Sequence, residues 1–323
     1  MSLRALVTRH LPAGGLDPLE SADGIEVVQR DIDEPYTHDQ LMAVVTEVDG
    51  AVCVITDRFD AEVLSAGSGR LRVVANVAVG FDNLDVEAAT QAGVVVCNTP
   101  GILDEATADL AFTLILAAAR LASEAEADLR AGRWAGWGVN QYLGQDVHGA
   151  TLGLVGYGGI GRAVARRGRG FSMEVLHHTR RPTGEPGWVA ELHELLRRAD
   201  VVSLHVPLTD ATRHLIGPAE LAVMKPTAVL VNTSRGPVVD EEALAEALHE
   251  GRIFAAGLDV YEREPVVHPR LLSAPRTVLL PHIGTATVAT RTAMARLAAE
   301  SVREVLEGRM PPNALNPEAI RRS

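Results

Sequence analysis

The stretch "LGLVGYGGIGRAVAR", Leu152 to Arg166, decides the fold. An apolar run ends in Gly156, Gly158 and Gly161 at the spacing G-x-G-x-x-G, with Gly159 and Ile160 inside the loop, and a helix-like segment follows at once. The first glycine permits a tight turn, the second lets backbone approach a phosphate group, and the third lets helix and strand pack closely. Glycines alone say little. A strand before and a helix after turn the pattern into a dinucleotide site, because free N–H groups and positive potential at the helix start favour the pyrophosphate.

Working outward, short β-branched runs alternate with longer helical stretches. Before the glycine loop come "LRALVT", "IEVVQ", "GAVCVIT" and "LRVVANV"; around and after it come "TLGLVG", "MEVLHH", "VVSLHV", "AVLVNT" and "TVLLPH". This alternation predicts βαβ units and parallel sheets. The chain has 323 residues, 47% of them hydrophobic, enough for two domains with separate cores. A long helix is expected after Pro100, and a last helix over "TATVATRTAMARLAAESVREVLEGR" is expected to return to the first domain. The expected fold is α/β with two doubly wound parallel-sheet domains, a flavodoxin-like substrate domain (1–98 plus 288–323) and a Rossmann nucleotide-binding domain (99–287).

Composition narrows the function. The formal charge of −12 argues against nucleic acid and acidic membrane surfaces. Cys53 and Cys97 sit in apolar runs and read as strand core, which suits a reducing cytoplasm. "MSLRALVTRH" lacks the apolar stretch of a secretory signal, and Leu110 to Ala119 is too short to span a bilayer. The scattered histidines, His148, His193, His214, His249 and His268, have no companions at metal-ligand spacing, so no metal is expected. His177 and His178 are expected to flank the cofactor pocket.

In a dinucleotide fold the residue that meets the adenosine ribose lies about 20 residues past the glycine loop and is usually acidic. Here the strand "MEVLHH" runs into Thr179, Arg180 and Arg181. Thr179 does not repel a 2′-phosphate, and guanidinium groups suit it. The expected cofactor is NADP in preference to NAD, with a solvated basic turn as the bland alternative.

Three polar residues close later strands: Arg235 in "LVNTSRGPVVDEEAL", Glu264 in "AAGLDVYEREP" and His282 in "VLLPHIGTAT". Ligands of open α/β sheets bind at the carboxyl ends of the strands, so the three are expected to converge. Together they suit reduction of a 2-keto acid, with Arg gripping the carboxylate, His donating a proton and Glu holding the imidazole.

Several motifs in order, "VVANVAVGFDNLDVEAATQAGVVVCNTPG", "EATADLAFTLILAAAR", "LVGYGGIGRAVARR", "ADVVSLHVPLTDATRHLIG" and those around the trio, resemble the D-isomer-specific 2-hydroxyacid dehydrogenases, and among them the glyoxylate/hydroxypyruvate reductases. The resemblance implies that Arg235, Glu264 and His282 are catalytic and that Val79 and Gly80 offer backbone N–H groups to the substrate carboxylate. It further implies that Thr107, Thr233, Asp259 and Gly284 line the nicotinamide, with Asp259 accepting from its carboxamide. His205, Val206 and Pro207 would pass near the adenosine, and a homodimer would form through the long helix and its neighbouring loop; Trp134 and Trp137 in "GRWAGWG" read either as a wall of the pocket or as packing. No C-terminal regulatory domain is expected after Asn316, which weakens a phosphoglycerate dehydrogenase assignment. Two alternatives stay open, a dehydrogenase for another 2-hydroxy acid and a nicotinamide-sensing, corepressor-like binding protein.

Overall fold

The structure is a computed structural model and describes residues 2–30 and 32–319. It divides into two compact units, one from Met1–Leu103 with Thr285–Ser323 and one from Asp104–Gly284. The second unit therefore starts and stops a few residues inside the 99–287 expected from sequence. It begins at the first turn of a helix, where the backbone commits to new packing.

The first unit holds a five-stranded sheet in the order β2-β1-β3-β4-β5. Its strands are β1 (Leu3–Val7), β2 (Ile25–Gln29), β3 (Gly50–Cys53), β4 (Val73–Asn76) and β5 (Val95–Cys97), all parallel. This is the order of flavodoxin-like sheets. Every residue of β3 and β4 is buried, as strands covered on both faces require. One face packs Leu19 and the stripe Ala298, Ala299, Val302 and Val305 of the Val288–Leu306 helix. That stripe follows helical periodicity, so the helix joins this sheet although it comes last in sequence. The other face packs Leu41, Val45, Phe59, Val63 and Leu64. Asn316 ties the end of the chain to the edge strand, accepting from Val96 N (2.7 Å) and donating to Val94 O (2.9 Å).

The second unit holds a six-stranded parallel sheet in the order β11-β10-β9-β8-β6-β7. Its strands are β6 (Thr151–Val155), β7 (Glu174–His178), β8 (Val201–Leu204), β9 (Val229–Asn232), β10 (Ala255–Leu258) and β11 (Thr277–Leu279). Strand order reverses between β6 and β8, which places the ligand crevice at their carboxyl ends. Only β7 lies beyond the reversal.

Two features depart from the sequence reading. Strand β10, "AAGL", was not among the β-branched runs, because its small residues have low strand propensity. It pairs with β9 and β11, and its glycine lets Leu114 of the Asp104–Ala119 helix pack onto it, since a Cβ added at Gly257 would stand 2.9 Å from Leu114 Cβ. The long helix is in fact two, Asp104–Ala119 and Ala122–Arg130, bent by 68°. The break falls at Leu121, whose φ of 53° lies in the left-handed region. No single helix among the described residues is long and apolar enough to cross a membrane.

Candidate active site

Loops at the carboxyl ends of β7, β8, β9, β10 and β11 in the Asp104–Gly284 unit carry most of the polar residues singled out in the sequence. After β9, buried Asn232 shapes the turn: its Oδ1 accepts from Ser234 N (3.0 Å) and Ser234 Oγ (2.8 Å), and its Nδ2 donates to Arg235 O (2.9 Å). Arg235 Nη1 donates to Ser234 O at 2.9 Å. The next residue, Gly236, lies directly against the loop after β10, because a Cβ there would run into the Tyr261 carbonyl. Only glycine lets the Arg235 turn and the Glu264 turn share this contact.

Glu264 bridges two neighbours. Its Oε1 accepts from Tyr261 N (3.0 Å), and its Oε2 meets His282 Nδ1 at 2.8 Å. Partial burial by itself raises the Glu264 carboxyl, but the hydrogen bond and charge of His282, the Tyr261 N–H and the charge of Arg235 outweigh it and hold the group below the usual carboxylate range. An ionised carboxylate only accepts, so Nδ1 carries the proton of this bond and Nε2 is the nitrogen left for a ligand. The trio named from sequence thus converges, Arg235 by its charge and loop contact and His282 by a direct bond.

The backbone at His282 is also fixed. Its φ is 55°, and its N–H donates to Asp259 O at 2.9 Å. The Asp259 side chain, 1% exposed, accepts from Ile283 N and Gly284 N, each at 2.8 Å. Burial raises its carboxyl, while those two N–H groups and the charge of His282 oppose the shift. The resemblance implies that Asp259 accepts from a nicotinamide carboxamide; in the structure it also anchors the His282 loop.

The glycine loop has the geometry its spacing suggests. Gly156 has φ of 96°, and a Cβ there would run into the His205 carbonyl; a Cβ at Gly161 would run into the Gly156 carbonyl. At Gly158, the N-cap of the Gly159–Gly170 helix, an added Cβ meets nothing. A phosphate thus has room beside the first-turn N–H groups of Gly159, Ile160 and Gly161. Thr107 Oγ1 and Thr233 Oγ1 are buried without a hydrogen-bond partner, and Thr107 Oγ1 stands 3.8 Å from the Cβ position of Gly284. Orphaned buried hydroxyls beside Asp259 and an open glycine cradle together fit a nicotinamide dinucleotide.

At the end of β7, Thr179 Oγ1 donates to Arg181 O at 2.7 Å, a closed turn that leaves Arg180 and Arg181 exposed. His178 Nδ1 contacts Val189 O at 3.1 Å. His177 does not flank a ligand pocket as expected. It is fully buried, stacks on Tyr157 of the glycine loop (centroids 3.8 Å apart, planes 17° apart) and bonds Thr183 Oγ1 at 2.7 Å. Successive strand residues face opposite sides, so β7 gives one histidine to the core and one to the edge. The His205 imidazole turns inward to Ser203 Oγ (2.9 Å), and burial pushes it down to about 3, so His205 borders the glycine loop through its carbonyl rather than its ring, and Val206 borders it through Cγ1. Sequence reasoning missed Asn232, Tyr157 and Tyr261; Tyr157 sat in plain view inside the glycine pattern.

In the other unit, Val79 and Gly80 form a turn after β4. Asn98 Nδ2 donates to Val79 O (2.8 Å) and Asn76 Nδ2 to Gly80 O (2.9 Å). In a trans peptide the N–H points opposite its carbonyl, so these bonds set where the turn's donors aim.

The model of the NAD-binding domain of D-isomer-specific 2-hydroxyacid dehydrogenases matches residues 112–284. A glyoxylate reductase of Thermococcus gammatolerans is 45% identical, covering 99% of this chain and 98% of that protein. The chain belongs to the D-isomer-specific 2-hydroxyacid dehydrogenase family. Among solved structures, a Thermus thermophilus protein superimposes with a TM-score of 0.90 at 46% identity, covering 97% of this chain and all of that one. An NADPH-dependent glyoxylate/hydroxypyruvate reductase of Sinorhizobium meliloti, solved with NADP and malonate, gives 0.86 at 33% identity and covers 100% of this chain and 99% of its own. As a 2-hydroxyacid dehydrogenase of this family, the protein is an oxidoreductase that uses a nicotinamide cofactor.

Proposed function

We propose that the protein reduces glyoxylate and hydroxypyruvate to the corresponding D-2-hydroxy acids and takes NADPH in preference to NADH. The observation that carries the cofactor choice is the turn after β7, where Thr179 replaces a ribose-binding acid and Arg180 and Arg181 stand exposed. A carboxylate there would repel a 2′-phosphate, whereas two guanidinium groups attract it. Support for the substrate class comes from the reductases named above and from the Arg235, Glu264 and His282 cluster.

Bound reduced nicotinamide supplies a hydride. Arg235 holds the substrate carboxylate and draws electron density from the neighbouring carbonyl, and the Val79–Gly80 turn offers N–H groups to the same kind of anion. His282 Nε2 gives its proton to the carbonyl oxygen as the C–H bond forms, and Glu264, through Nδ1, steadies the ring and its charge. Thr107, Thr233, Asp259 and Gly284 would hold the nicotinamide end. A panel of glyoxylate, hydroxypyruvate, pyruvate and bulkier 2-keto acids tests the assignment; highest kcat/KM on a bulky acid would move it to another 2-hydroxy acid, and absence of turnover would favour a sensor.

The reading includes a homodimer in a reducing cytoplasm. Trp137 is 83% exposed and Val139 69%, with Trp134 and Leu143 beside them in sequence and also exposed, an apolar strip that a partner subunit would cover. Light scattering should give twice the chain mass of 34.4 kDa. A monomer at micromolar concentration would remove this part of the proposal.

A further inference from the structure

Asp104 opens the Asp104–Ala119 helix, which packs on the Gly159–Gly170 helix. Its partly buried carboxylate lies against the glycine loop: a Cβ on Gly159 would run into Oδ2, with Oδ1 at 3.0 Å. The adjacent Gly158 faces open space. A carboxylate thus stands beside the opening left for a pyrophosphate. Among the described residues, no hydrogen bond reaches this carboxylate.

The cations that would neutralise Asp104 are taken by other acids. From the facing helix, Arg166 pairs with Glu105, Arg167 pairs with Glu105 and Asp109, and Arg162 pairs with Glu185. Glu105, next to Asp104 on its own helix, adds like charge. Burial first, and then Glu105, raise the Asp104 carboxyl above the ordinary value, with Arg166 opposing.

We propose that Asp104 couples dinucleotide binding to proton uptake: its carboxyl becomes protonated as a pyrophosphate seats on the neighbouring N–H groups. This rests on the glycine loop being the dinucleotide site. Two phosphate charges placed beside an ionised carboxylate repel it, and protonation relieves the repulsion at the expense of affinity at high pH. Binding therefore weakens as pH rises through the range in which free Asp104 ionises. It levels off once the bound form ionises as well. Each pKa unit by which the pyrophosphate raises the carboxyl corresponds to about tenfold in affinity.

Titration calorimetry on full-length wild type and Asp104→Asn, with NADH and NADPH in two buffers of different ionisation enthalpy, measures affinity and protons taken up together. The 2′-phosphate of NADPH itself titrates at about pH 6, so the comparison is between the two proteins with one ligand, in which that contribution cancels. Expected is about tenfold tighter binding to Asp104→Asn at pH 8, a gap that narrows as pH falls, and a fraction of a proton taken up by wild type that the variant lacks. Equal proton uptake in both proteins, or weaker binding to the variant as from a lost ribose contact, would overturn the role of Asp104. Failure of wild type to bind either dinucleotide would instead overturn the glycine-loop reading, and this proposal with it.

Discussion

His282 meets Glu264 through Nδ1 at 2.8 Å, so chemistry at this residue falls to Nε2. His282→Gln should keep a hydrogen bond to Glu264 but lose the proton donor, lowering kcat by about 10²- to 10⁴-fold with dinucleotide binding unchanged; a kcat within threefold of wild type would remove the histidine from the mechanism. Glu264→Gln tests charge against geometry. It keeps an oxygen acceptor for Nδ1 and loses the carboxylate charge, so kcat should fall by about tenfold or more with dinucleotide binding unchanged, and an unchanged kcat would mean that geometry alone suffices. At the cofactor end, Thr179→Asp with Arg180→Ala adds a ribose acceptor and removes a phosphate donor. The ratio of NADPH to NADH specificity constants should fall in that double variant, and an unchanged ratio would mean that the 2′-phosphate sits elsewhere.

At the scale of the elements, the glycine loop separates packing from binding. Gly161 and Gly158 belong to one turn, yet a Cβ meets the Gly156 carbonyl at the first and nothing at the second. Gly161→Ala should cost about 1–3 kcal/mol in urea unfolding by overpacking. Gly158→Ala should unfold like wild type but bind dinucleotide at least tenfold more weakly, since its methyl takes the space of the phosphate. The strand β8 and its loop carry a pH signature. The folded value of about 3 for His205 lies below the ordinary 6.5, so the neutral ring stabilises the fold fully above pH 6.5, and the contribution is lost as pH falls from there toward 3. The slope from this group is about 1.4 kcal/mol per pH unit. Denaturant unfolding at pH 7 and pH 5 should show it in wild type and a reduced difference in His205→Gln.

For the whole molecule, two parallel sheets were legible because buried strands write themselves as β-branched runs and the glycine spacing marks the switch point of the second sheet. The trio was legible because each member closes a strand at the same sheet edge. What stayed hidden depends on contacts distant in sequence: β10 is held between β9 and β11 with Leu114 packed on its Gly257, and the helix break at Leu121 follows no proline or glycine. Asp259 as anchor of the His282 loop, the Tyr157–His177 stack and Asp104 against Gly159 likewise pair residues that no local pattern relates. The pairing of fold, trio and arginine turn makes one claim that steady-state kinetics test directly: specificity constants for NADPH and for NADH, measured on wild type with hydroxypyruvate and with glyoxylate. A higher constant for NADPH with both substrates is the expected result, and a higher constant for NADH would contradict it, leaving the reductase but reducing Arg180 and Arg181 to a solvated turn.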